Sequence, residues 1–187
     1  MRHFTIIGAG LGAADGLTGE ARAALLAAER VFGTRRLAEQ LSELREIECC
    51  PFSALAERAR ESGAERAAVL VSGDPGFFSA AQALRQALLP CGEVETLCGV
   101  SSLQAFCARL GARWDDALFV SLHGRAGGLL GAASYHKKVF ALTGGERRAD
   151  ALCRELARAG LGEIPVALGK NLGGADERIF RGTAAQA

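Results

Sequence analysis

The chain of 187 residues is predicted to be an α/β protein, and three observations carry that prediction. Short apolar runs alternate with Ala- and Leu-rich stretches along the whole length, as expected for helices packed on a parallel or mixed sheet. An apolar content of 49% is enough to bury a core without covalent staples. Three of the apolar runs end in small or polar residues, at Gly8-Ala-Gly-Leu-Gly12, Ser72-Gly-Asp-Pro-Gly76 and Ser121-Leu-His-Gly-Arg125. At such strand ends a polar ligand meets bare main chain.

The elements follow in order. Residues 4–7 read as a strand and 19–29 as a helix, with Thr18 as N-cap and Glu20 in its positive first turn. A short strand at 30–32 precedes helices over 34–44 and 52–62. The continuous apolar run 67–72 reads as a fully buried strand. A helix over 79–89 is stopped by Pro90, and 94–97 is the next strand. Ser101 and Ser102 cap a helix that runs to Arg109.

Gly111-Ala-Arg-Trp-Asp-Asp116 then breaks the pattern, which places a domain boundary there and divides the chain into 1–112 and 113–187. The second half supplies strands at 118–122, 138–142, 165–169 and 177–180 and a helix over 149–159. The glycine-rich stretch 126–131 reads as a loop or a loose helix start.

Composition excludes several classes. A net charge of +1 argues against nucleic acid as the main partner, because phosphate binding draws on a basic surplus. No run approaches the roughly 18 apolar residues of a membrane span. The opening Met1-Arg-His-Phe-Thr enters a strand without a signal pattern, so a cytoplasmic location is expected. The six cysteines contain no Cys-x-x-Cys pair and read as reduced thiols, and the three histidines show no metal spacing, so no metal is expected.

The turn containing Gly10, Leu11 and Gly12 satisfies a loose dinucleotide fingerprint, but the following helix starts near Gly19, too late to face a pyrophosphate. A bare glycine turn and a turn bordering another cofactor both stay open. Asp74 is held extended by Pro75 and flanked by Gly73 and Gly76. It reads either as an acceptor for an ammonium group or ribose, or as a turn aspartate. His123 and Arg125 stand where a functional pair is expected, although a structural role for His123 is equally compatible with the spacing. Arg35, Arg36, Arg125 and Lys170 lie near strand ends or loops, where a substrate with several carboxylates would be met.

The chain resembles the tetrapyrrole (corrin) methyltransferases. The likeness runs through the 8–12 loop with Asp15, Leu17 and Thr18, the Gly73-Asp74-Pro75 turn, Gly99-Val-Ser-Ser102, Thr143-Gly144 and the 165–172 segment with Glu177. Within the superfamily, Ser72-Gly-Asp-Pro-Gly-Phe-Phe78 and Ser121-Leu-His-Gly-Arg125 look most like the carbon-5 methyltransferases acting on cobalt-precorrin-7 or precorrin-6Y. The resemblance implies two α/β domains with S-adenosylmethionine in the cleft between them. It implies cofactor contacts at Gly10, Leu11, Gly12, Gly73, Asp74, Pro75, Phe78, Ser101, Ser102, Thr143 and Leu172, and substrate-side roles for His123 and Arg125. It further implies a small tetrapyrrole substrate, a homodimer, and a separate protein for methylation at carbon 15 with decarboxylation. Methylation of uroporphyrinogen III, diphthine or rRNA within the superfamily, a dinucleotide-dependent reductase and a non-catalytic binding domain are the competing readings.

Overall fold

The structure, a computed structural model, describes residues 1–122, 128–144 and 148–187. Its first 102 residues build a parallel five-stranded sheet from β1 (His3–Gly8), β2 (Arg30–Gly33), β3 (Glu48–Cys49), β4 (Arg66–Val71) and β5 (Glu93–Leu97), in the order β3-β2-β4-β1-β5. Four helices cover it: α1 (Gly19–Ala27), α2 (Arg35–Gln40), α3 (Leu55–Glu61) and α4 (Ala81–Leu88).

The two-residue period of a strand decides which helix each strand residue meets. Phe4 and Ile6 of β1 pack with Val69 and Val71 of β4 against Leu55 of α3 and Leu84 and Leu88 of α4. Ile7 packs with Ala68 and Leu70 on the opposite face, against Ala21 and Leu25 of α1 and Leu37 of α2. Five of the six β4 residues are buried, which is why this run reads as unbroken hydrophobic sequence.

Helix ends are satisfied in specific ways. Thr18 Oγ1 accepts from Ala21 N at 3.1 Å, as the sequence predicts for an N-cap. At the other end of α1, Arg45 Nη1 donates to Leu25 O at 3.0 Å and also to Ala28 O, covering carbonyls that lack a helical partner. Arg2 does the same for α3, donating to Arg60 O at 2.8 Å and Ala59 O at 3.1 Å while lying over the Phe4 ring.

Several elements are shorter than the sequence predicts. Helix α2 stops at Gln40 because Leu41 leaves helical geometry, at φ −110 and ψ 10. The 52–62 helix splits into a 3-10 turn, Phe52–Ala54, and α3. Helix α4 starts at Ala81, with Ser79 Oγ accepting from Ala81 N at 3.2 Å. The brief strand β3 has no counterpart in the sequence reading. Glu48 ties it down by accepting from Arg58 and Arg30, which hold its carboxyl below the usual range.

The chain divides into two units, Met1–Ser102 and Leu103–Ala187. The dividing point falls just after the first residue of α5 (Ser102–Leu110), whereas the sequence break marks 112/113. In the second unit β6 (Leu118–Ser121) pairs in parallel with β7 (Val139–Leu142), and β8 (Pro165–Lys170) forms an antiparallel hairpin with β9 (Arg178–Thr183). Helix α6 spans Leu129–Tyr135. Helix α7 (Ala149–Leu156) runs into a π-type turn, Ala157–Leu161, instead of continuing regularly to 159. Cys153 and Leu156 of α7 pack with Ala184, Leu129, Val166 and Leu168 in a core of their own.

Candidate functional site

The sheet order puts β1 between β4 and β5, so three strand ends distant in sequence become neighbours. Their loops are joined by main chain. Gly10 N donates to Gly73 O at 3.2 Å and Gly73 N donates to Gly10 O at 2.7 Å, an isolated antiparallel bridge beyond the ends of two parallel strands. Both glycines hold positive φ, +57 and +67, a conformation that side-chain-bearing residues rarely adopt.

The third loop packs onto this bridge. A Cβ on Gly99 would lie 2.4 Å from Gly73 O and 2.5 Å from Gly8 O, both backbone atoms that cannot swing aside. Glycine is therefore required where the three chains cross. That requirement explains the motif residues Gly8 and Gly99, and the positive φ explains Gly73, without reference to any ligand.

Asp74 is the fastener of the cluster. Its Oδ1 accepts from Gly76 N at 2.8 Å, closing a local turn, and its Oδ2 accepts from Gly99 N at 3.2 Å, reaching across to the β5 loop. Pro75 lies against Gly8, where its Cδ is 2.7 Å from the place a Cβ would take. Just beyond, Phe78 holds φ +48 with 39% of its surface exposed, and its ring centroid is 4.8 Å from that of Phe77. An aromatic residue in this region stores strain of about 1–3 kcal/mol, a feature concentrated at functional loops.

Of the remaining predicted residues, Leu11 is half-buried and Gly12 buried in the β1 loop. Ser101 is buried and Ser102 opens α5. Gly10, Leu11, Gly12, Gly73, Asp74, Pro75, Phe78, Ser101 and Ser102 all belong to the first unit. Thr143 directly follows β7 and Leu172 lies in the turn after β8, both in the second unit. His123 and Arg125 lie outside the described residues.

Two features of the strand-end loops escape sequence reading. Glu177 Oε2 accepts from Gly173 N at 2.6 Å and its Oε1 from Arg109 Nε at 2.5 Å, fixing the β8–β9 turn. The Gly173 amide first, and Arg109 second, hold the Glu177 carboxyl below the usual range. The other is the bond from Arg36 to Ser72 of the loop that follows β4; the sequence names Arg36 as a candidate carboxylate contact but not this partner.

A parallel sheet whose adjacent strands end in interlocked glycine loops at its carboxyl edge defines an α/β protein. The sequence matches the tetrapyrrole (corrin/porphyrin) methylases over residues 3–187. A Sinorhizobium precorrin-6Y C(5,15)-methyltransferase (decarboxylating) is 32% identical over 188 residues, taking in 98% of this chain and 45% of that protein. A Salmonella typhimurium cobalt-precorrin-7 C(5)-methyltransferase is 33% identical over 111 residues, or 59% of this chain and 54% of that one. The structure of the Thermus thermophilus uroporphyrin-III C-methyltransferase, complexed with S-adenosylhomocysteine, is 26% identical with a TM-score of 0.76, covering 100% of this chain and 85% of that one. The chain belongs to the tetrapyrrole methylase family. It spans about half the length of the curated relatives it matches. Among the described residues no helix is long and apolar enough to cross a membrane.

Proposed function

We propose that the chain transfers a methyl group from S-adenosylmethionine to carbon 5 of a corrin precursor, cobalt-precorrin-7 or precorrin-6Y, in cobalamin biosynthesis. The alignment with the C(5,15)-methyltransferase across 98% of this chain carries the reading, and the carbon-5 relative supports the same position on the ring. That alignment takes in 45% of the longer relative. We therefore assign carbon-15 methylation and decarboxylation to polypeptide outside these 187 residues.

The donor set of the first unit suits this cofactor. The loops 72–76 and 98–102 offer main-chain groups, the hydroxyls of Ser101 and Ser102 and one carboxylate. Bound there, S-adenosylmethionine supplies an electrophilic methyl group that a nucleophilic ring carbon takes up by in-line displacement, leaving a neutral thioether. The chain's part is positional. Backbone groups around Gly10, Gly73 and Ser101 bind and orient, and the Asp74 carboxylate holds two of the loops in register. Rigidity of this kind raises rate by holding reacting atoms near attack distance.

The test is incubation of the purified chain with cobalt-precorrin-7 and, separately, precorrin-6Y, each with methyl-labelled S-adenosylmethionine, with mass spectrometry of the tetrapyrrole. Gain of one labelled methyl group at carbon 5 is expected. Absence of transfer to both named corrin precursors overturns the reading.

A further inference from the structure

Arg36 differs from the ion-paired arginines of the first unit. Arg30 and Arg58 pair with Glu48, and Arg66 pairs with Glu29. Arg2 and Arg45 cap helices. Arg36 is exposed and, among the described residues, its partners are neutral oxygens. Nη1 donates to Gln40 Oε1 at 3.0 Å and Nη2 donates to Ser72 Oγ at 2.6 Å.

Those partners fix where the charge sits. Ser72 is the first residue after β4 and adjoins Gly73, which bridges to Gly10. On the other side, a Cβ on Gly12 would fall 2.2 Å from Gln40 Oε1 and 3.2 Å from Arg36 Nη1. The guanidinium is thus wedged between the β1 and β4 loops at the carboxyl edge of the sheet. Its planar fork is held by two side chains, and its full charge is uncompensated by any described carboxylate.

We propose that Arg36 is a specificity-determining residue that receives a carboxylate of the macrocyclic substrate, an inference that rests on the corrin-precursor reading above. A preset guanidinium with unclaimed N–H groups is the group that pairs bidentately with a carboxylate. Corrin precursors carry several acetate and propionate side chains. The cofactor's own carboxylate is the competing guest for this fork, and the S-adenosylhomocysteine arm of the test separates the two. Ser72 and Gln40 are positioning residues that hold the fork.

The test compares Arg36→Gln and Arg36→Lys with the wild-type chain. Arg36→Gln is expected to raise KM for cobalt-precorrin-7 about tenfold or more, while kcat and the Kd of S-adenosylhomocysteine stay within about twofold, the pattern of lost ground-state binding. Arg36→Lys, which keeps the charge and loses the fork, falls between. Ser72→Ala raises KM by a smaller factor than Arg36→Gln. A second arm needs no turnover: binding of coproporphyrin, a stable tetracarboxylate, is titrated by its absorbance, and Arg36→Gln is expected to weaken it and to flatten its salt dependence. Unchanged porphyrin affinity in folded Arg36→Gln overturns the assignment, as does a raised S-adenosylhomocysteine Kd with unchanged KM. Failure of the wild-type chain to methylate, with porphyrin binding still sensitive to Arg36, overturns the corrin-methylation reading and leaves the carboxylate receptor standing.

Discussion

Replacing Asp74 by Ala removes both bonds that tie the β4 loop to itself and to the β5 loop, and the two losses are unequal. Gly76 is exposed, so its amide finds water at little cost. Gly99 is buried where three chains cross, so its N–H loses its partner, and a buried unsatisfied donor costs about 1–3 kcal/mol. For a chain of this size that corresponds to a fall in Tm of roughly 2–12 °C, at about 2–4 °C per kcal/mol. Asp74→Asn is expected to cost less than Asp74→Ala, since its one amide oxygen can keep the bond to the buried Gly99 N–H while its NH2 faces the exposed Gly76 N–H, which water then serves. Affinity for S-adenosylhomocysteine should fall with stability, because the loop that carries Ser101 is released. Thermal unfolding, calorimetric titration of S-adenosylhomocysteine and hydrogen exchange at the Gly99 amide measure the three parts. An Asp74→Ala chain with wild-type Tm and unchanged Gly99 protection would refute the reasoning.

Other substitutions probe the remaining parts of the site. Gly99→Ala forces a Cβ to within 2.4 Å of Gly73 O and 2.5 Å of Gly8 O, so it should cost about 1–3 kcal/mol or more by equilibrium unfolding, and a neutral result contradicts the crossing geometry. The Glu177 carboxyl is held below the usual range in the fold, so its contribution to stability is present above the unfolded pKa of about 4.3 and is lost as pH falls through the folded value. Urea midpoints measured from pH 7 to pH 3 should accordingly fall more steeply for the wild-type chain than for Glu177→Gln, and parallel curves contradict the pairing. His123→Ala and Arg125→Ala should each reduce methyl transfer while leaving the Kd of S-adenosylhomocysteine nearly intact. Loss of cofactor affinity with normal turnover at saturating cofactor would reverse that assignment.

The sequence by itself determined the α/β class, the alternation of elements and the loops at which a ligand would be sought. Those properties are local. Buried strands such as β4 read as unbroken apolar runs, Thr18 caps a helix through its own neighbours, and glycines mark turns wherever they stand. The family likeness is legible for a related reason, since Gly73 supplies a positive φ, Gly99 leaves room that a Cβ would fill, and Asp74 accepts from the Gly99 amide. Tertiary structure alone decided what the motifs do to one another. The insertion of β1 between β4 and β5 makes Gly8, Gly73 and Gly99 neighbours, and no local period encodes a sheet order. It converted Asp74 from a turn residue into a bridge between loops, a role that depends on an amide 25 positions away. The early end of α2, the brief β3 and the placement of Arg36 against Ser72 are of the same kind. Each is set by which surfaces meet across the sheet, and burial and hydrogen-bond satisfaction between distant segments outweigh the propensity of the segment itself.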